Sequence, residues 1–173
     1  MGKAIKCVLN ASSLRQAVSD LNRYADGLMN KNELFAKRLS ELGIPVIDDH
    51  IQMAQGDSDK THYTYIKLQR FQDYSRATLI TEGKDLLFIE FGTGVTYNGA
   101  AGASPHPKGE ELGYTIGSYG KGQGKNPYWY YIDESGVKHR SYGTQATFPM
   151  YAAWMEMKEN VKRIAREVFG NGE

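Results

Sequence analysis

Residues able to do chemistry gather in two places along the chain. The first is "LLFIEFGTGV", where an apolar run holds one carboxylate, Glu90, and then breaks into Gly92, Thr93 and Gly94. A carboxyl group among apolar neighbours could act as a general base with a raised pKa. Its more ordinary role at such a place is to anchor the strand end, by pairing with a Lys or Arg or by accepting N–H bonds. A threonine bracketed by glycines could also cradle a phosphate. The P-loop pattern G-x-x-x-x-G-K-[ST] does so by combining backbone N–H groups, a lysine and a hydroxyl. The nearest approach, Gly124-Lys125-Asn126, lacks the hydroxyl, and Tyr119 stands where the first glycine belongs. No G-x-G-x-x-G lies within a parallel βαβ pattern.

The second place is Asp48, Asp49 and His50, with His62 further on. These could offer oxygen and nitrogen ligands, or the acid and base of a small hydrolase. No H-E-x-x-H or cysteine-rich spacing supports a metal, so a solvated turn is the expectation. His106 between prolines, His139 between Lys138 and Arg140, and Cys7 near the start all stand apart from partners in sequence. No G-x-S-x-G is present. The residues therefore predict no catalytic, cofactor or metal constellation, and a protein that is not an enzyme.

The elements that must hold these residues follow from periodicity. Residues 12–42 predict a helix capped by Ser12 or Ser13, with apolar residues alternating four and three from Leu14 through Val18, Leu21 and Leu28 to Leu42. Asn32 interrupts the stripe. That pattern suits either a helix lying on a sheet or a coiled-coil seam whose Asn sets the register. Gly43 and Pro45 predict its stop, and residues 46–55 a short second helix. Three runs rich in Tyr, Ile, Thr, Phe and Leu follow at 61–71, 74–81 and 86–91, joined by short turns. They predict an antiparallel meander. Residues 128–132 and 137–143 predict a second hairpin. From Pro149 a helix with apolar Met150, Trp154, Met157, Val161, Ile164 and Val168 closes the pattern. The fold class predicted is α+β: an antiparallel sheet, meander plus second hairpin, packed with an N-terminal and a C-terminal amphipathic helix.

The totals bound the rest. At 173 residues the chain predicts one domain, 1–173. A net charge of +1 gives no global pull toward nucleic acid or acidic substrates. No apolar run is long enough to span a bilayer. The opening "MGKAIKCVLNASS" lacks the apolar core of a secretory signal, and a lone Cys7 suits a reducing compartment.

Residues 92–127 read as a flexible glycine-rich loop or arm: ten of the 19 glycines lie there, periodicity is lacking, and the segment is too long for an ordinary connection. Tyr114, Tyr119, Tyr128, Trp129 and Tyr130 in and beside it predict a protein interface, since Tyr and Trp bury large area at low entropic cost. The same aromatics, interleaved with Lys121 and Lys125 over 114–131, leave an alternative: a small nucleic-acid-binding module that stacks on bases.

Two motifs then point to a family. Phe88, Glu90, Phe91, Gly92, Thr93 and Gly94 end one run, and Ala146, Phe148 and Pro149 open the last helix. This arrangement resembles the small minor-tail, or tail-completion, proteins of long-tailed bacteriophages and prophages, with Phe-Pro here in place of the more usual Pro-Phe. The resemblance implies a virion structural protein of the head–tail junction or of tail completion. It implies self-association into a ring, a hexamer, that contacts the head connector and tail tube. It also implies no small-molecule substrate, and residence in the virion after assembly in the host cytoplasm.

Overall fold

The structure is a computed structural model that describes residues 8, 10–117 and 126–170. Helix α1 (Ala11–Glu41) is capped by Asn10, whose Oδ1 accepts from the Ser13 N–H at 2.8 Å. Ser13 returns the favour by accepting from the Val8 N–H at 2.9 Å. The cap therefore lies two to three residues before the expected serines, with Ser13 as its partner inside the first turn. Helix α2 (Gly43–Met53) follows almost at once. Pro45 sits in its first turn, where a missing N–H costs nothing, so it starts α2 rather than stopping α1.

Strands β1 (His62–Arg70) and β2 (Ser75–Gly83) form a hairpin closed by the Phe71 N–H donating to the Tyr74 carbonyl at 2.9 Å. The third strand of the expected meander is not there. Leu86–Phe91 is helix α3, nucleated where the Asp85 carbonyl accepts from the Phe88 and Ile89 N–H groups. Ile89, Glu90 and Phe91 are consecutive buried residues, so no half-covered strand is present, and the turn at Gly92, φ 79°, ends the run as a helix.

Residues 92–117 are likewise more organised than an arm. They carry α4 (Val95–Asn98) and a small ribbon of β3 (Gly102–Ala103) with β4 (Thr115–Ile116), and the Ile116 side chain is fully buried. Strands β5 (Trp129–Ile132) and β6 (Lys138–Ser141) pair as expected, Tyr130 opposite Arg140. Helix α5 (Pro149–Phe169) closes the chain. Helices with antiparallel strands make the fold α+β. Among the described residues the strands form three separate two-stranded sheets, not one. No described helix is long and apolar enough to cross a membrane.

The chain gathers into two compact units. One contains α1, the hairpin tip Ile66–Leu79 and the chain from Met157 onward. There Phe35 packs on Phe169 with ring centroids 5.8 Å apart, and Arg70 donates to the Asn30 side chain at 2.7 Å. The other comprises Gly43–Tyr65 and Ile80–Glu156, with a core of Ile47, Ile51, Ile89, Phe91, Ile116 and Ala153. The two sequence motifs lie in this second unit.

Candidate functional site

The two motifs, some fifty residues apart in sequence, are welded into one hydrogen-bonded clasp. Thr93 and Thr144 exchange backbone bonds in an isolated antiparallel bridge, at 2.9 and 3.0 Å. Each partner is flanked by glycine in the left-handed region: Gly92 at φ 79°, Gly94 at 69° and Gly143 at 96°. Space decides the matter as much as φ does. A Cβ on Gly94 would lie 2.7 Å from the Trp129 ring, and one on Gly143 would lie 2.0 Å from the Thr93 carbonyl. Asn98 locks the bridge: its side-chain N–H groups donate to the Thr93, Gly94 and Thr144 carbonyls, while its Oδ1 accepts from the Ala146 N–H at 2.8 Å. Farther along, the Thr147 N–H donates to the Ile89 carbonyl at 2.9 Å.

Glu90 completes the clasp. The Phe148 carbonyl accepts the first bond of α5, from Ala152, so Met150 and Tyr151 would present unpaired N–H groups. The Glu90 carboxylate takes both, at 2.8 and 3.1 Å. It thus acts as an N-cap supplied from a distant helix, and its negative charge suits the positive end of the α5 dipole. Phe148 bears the geometric cost, standing at φ 57° as the one non-glycine residue with positive φ among those described.

Among the described residues no Lys or Arg pairs with Glu90, and the N–H bonds are the alternative that holds. His106 stands there instead, its Nε2 2.9 Å from Glu90 Oε1 with both side chains buried. The Lys108 N–H donates to His106 Nδ1 at 2.9 Å, which makes Nδ1 the acceptor and leaves Nε2–H to donate to Glu90. His106 is therefore not isolated. Its ring also packs on Phe91, with Phe148 and Tyr151 edge-on. Ser104 donates to the Phe91 carbonyl, so both faces of the 104–106 segment are tied to the motif.

The remaining candidates divide. Tyr114 stacks on Phe91 with ring centroids 3.6 Å apart and stays partly exposed. Trp129 faces Gly94. Tyr128 and Tyr130 are exposed on the β5–β6 ribbon, joined by Tyr142. There Lys138 lies 4.3 Å over Tyr130, and Arg140 sits 5.5 Å from Tyr128 and 5.1 Å from Tyr142. Tyr119, Lys121 and Lys125 lie outside the described residues. Sequence reasoning missed Asn98, Ser104, Gly143, Thr144 and the ribbon cations Lys138 and Arg140. Only the glycine before Thr144 carried a signal.

The acidic cluster is split rather than assembled. His50 pairs with the Thr147 carbonyl and lends its own carbonyl to the Thr147 hydroxyl at 2.7 Å, binding α2 to the second motif. Asp48 turns instead to His62 Nε2 at 2.8 Å, beside a cleft of about 400 Å³. Among the described residues no group of three or more His, Cys, Asp or Glu is placed to hold a metal ion.

His62 carries a pH dependence. Burial opposes its charged form, but the Lys60 carbonyl and the Asp48 carboxylate both accept from the ring and hold its pKa above the ordinary value. A group raised by folding adds stability that is fully present below about pH 6.5 and is lost as pH climbs through the folded value. Urea midpoints should therefore fall between about pH 6 and pH 8, and His62→Gln should flatten that slope. An unchanged slope in the variant would assign the pH dependence elsewhere.

A larger groove, about 750 Å³, opens beside the clasp, lined by Ile47, Ile51, Leu87, Phe91, Leu112 and Met150 among others. Glu90 and His106 border it, but Glu90 Oε1 and Oε2 and both His106 nitrogens already have partners. Compared with known proteins, the chain matches no family model, no curated protein and no solved structure.

Proposed function

We propose that this chain is a non-enzymatic structural protein of a tailed-phage virion, acting at the head–tail junction or in tail completion. It works by ring assembly, a hexamer on the family resemblance, and by contact with the head connector and tail tube. The observation that carries the reading is the engagement of Glu90, whose carboxylate accepts three hydrogen bonds inside the clasp. The most chemically suggestive residue of the chain is used to cap a helix and hold His106. The motif is thereby accounted for as architecture, which is what a ring subunit requires of its body. Exposed Tyr128, Tyr130 and Ile132 on the β5–β6 ribbon supply aromatic and apolar surface of interface type.

Electron microscopy of tailed particles carrying a tagged copy of this chain tests the proposal. A ring of tag density at the neck or tail is expected. Tag absent from the particle, or scattered without a fixed position, would overturn it.

One observation favours a second reading, a nucleic-acid-binding module. Lys138 and Arg140 alternate with Tyr128, Tyr130 and Tyr142 on one ribbon face, a stacking and phosphate surface in miniature. Two cations give a shallow salt dependence. Tight retention of a single-stranded oligonucleotide at physiological salt by a monomer would favour this reading.

A further inference from the structure

Two apolar surfaces stand uncovered among the described residues, one a helix face and the other a groove. The first is the leading half of α1. Beyond the contacts that Asp26 and Asn30 make with Arg70, residues 11–25 extend as about 22 Å of helix. Val18 is 57 % exposed and Leu21 54 %. The segment contains Ser12, Ser13, Ser19, Asp20 and Asn22, all weak helix formers, and a helix this short gains its stability from packing. Its apolar face is also wide. Ala17, Tyr24 and Met29 broaden the stripe from Leu14 to Leu28 to roughly 140° of the circumference, at 100° per residue. A two-stranded coiled-coil seam is narrower than that; a helix embedded in a groove needs such a width. The opposite side is polar and self-paired, Asp20 accepting from Gln16 and Arg23.

The second surface is the 750 Å³ groove, with Leu87 62 % and Leu112 55 % exposed at its lining. A small-molecule site would carry free polar groups to orient its ligand. Here Glu90, His106, Thr81, Glu82 and Lys108 are each engaged with neighbouring groups, and most of the lining left open is apolar.

We infer that α1 of one copy seats its wide apolar face in this groove of the next copy. The contact is heterologous, because one partner gives a helix and the other a groove, and heterologous contacts repeat into rings when the rotation closes. The inference rests on the ring-assembly reading and names the contact that would build it. Helix entry would use Leu14, Val18 and Leu21 as anchors at helical spacing, and Lys84 and Lys108 would line the entry with their stems.

Two full-length variants test it, each changed only at exposed positions: Val18→Glu with Leu21→Glu, and Leu87→Glu with Leu112→Glu. Circular dichroism checks that each stays folded, and sedimentation velocity reads mass. The unsubstituted chain should self-associate, and each variant alone should be monomeric. An equimolar mixture should give a species of about twice the monomer mass and stop there, because only one intact helix meets one intact groove. If the groove variant assembles as well as the unsubstituted chain, or the mixture stays monomeric, helix-in-groove docking is wrong. The same holds if the unsubstituted chain stays monomeric at the highest concentration. Rings formed by the groove variant would leave ring assembly standing while sinking this contact. A working mixture without rings from the unsubstituted chain would do the reverse.

Discussion

Gly143→Ala is expected to destabilise the protein by about 2–6 kcal/mol, enough to consume much of a typical domain's stability. Two effects add. The backbone there stands at φ 96°, a region that costs a side-chain-bearing residue about 1–3 kcal/mol. The new Cβ would also fall 2.0 Å from the Thr93 carbonyl oxygen, and overpacking of that kind costs about 1–3 kcal/mol more. Neither strand can step aside, because Thr93 and Thr144 are bonded in both directions and braced by Asn98. Gly27 provides the opposite sign. It lies inside α1 with nothing within 4 Å of its would-be Cβ, so Gly27→Ala should stabilise by up to about 1 kcal/mol. Urea unfolding of both variants checks the pair. Equal midpoints would mean that the close approach at Gly143 does not exist.

Glu90→Ala is the second large effect, a loss of about 3–5 kcal/mol. Removing the carboxylate strands the Met150 and Tyr151 N–H groups and the His106 Nε2–H in a buried site. Glu90→Gln keeps the shape but turns one acceptor oxygen into a donor amid donors, for about 1–3 kcal/mol. The signature is local as well as global. Amide exchange at Met150 and Tyr151 should accelerate more than exchange deep in α5, since the first turn loses its cap. If both variants unfold like the parent while an enzymatic turnover disappears, Glu90 is a catalytic group and the structural account of the motif fails.

Periodic elements were readable from residue order alone. The four-three stripes of α1 and α5 and the short turns of the β1–β2 and β5–β6 hairpins carry their own local signals. Leu86–Phe91 resisted because an unbroken apolar run fits a buried strand and a buried helix equally well; the Asp85 carbonyl and the turn at Gly92 decide in favour of helix. The clasp could not be read at all, because its bonds join residues about fifty to sixty positions apart, such as Asn98 with Thr144 and Glu90 with Met150. His106, hemmed by prolines, looked solitary for the same reason. The glycine-rich segment looked slack because composition hides what Ser104 and Ile116 hold in place. Gly92, Gly94 and Gly143 were visible as glycines, but residue order did not say that their segments meet.

Assembly is the claim on which the functional reading turns, and native mass spectrometry of the purified chain over rising concentration tests it most directly. A single closed species of fixed copy number should replace the monomer and persist as concentration grows. A monomer throughout the range, or a ladder of open-ended sizes with no preferred number, would contradict a ring-forming subunit.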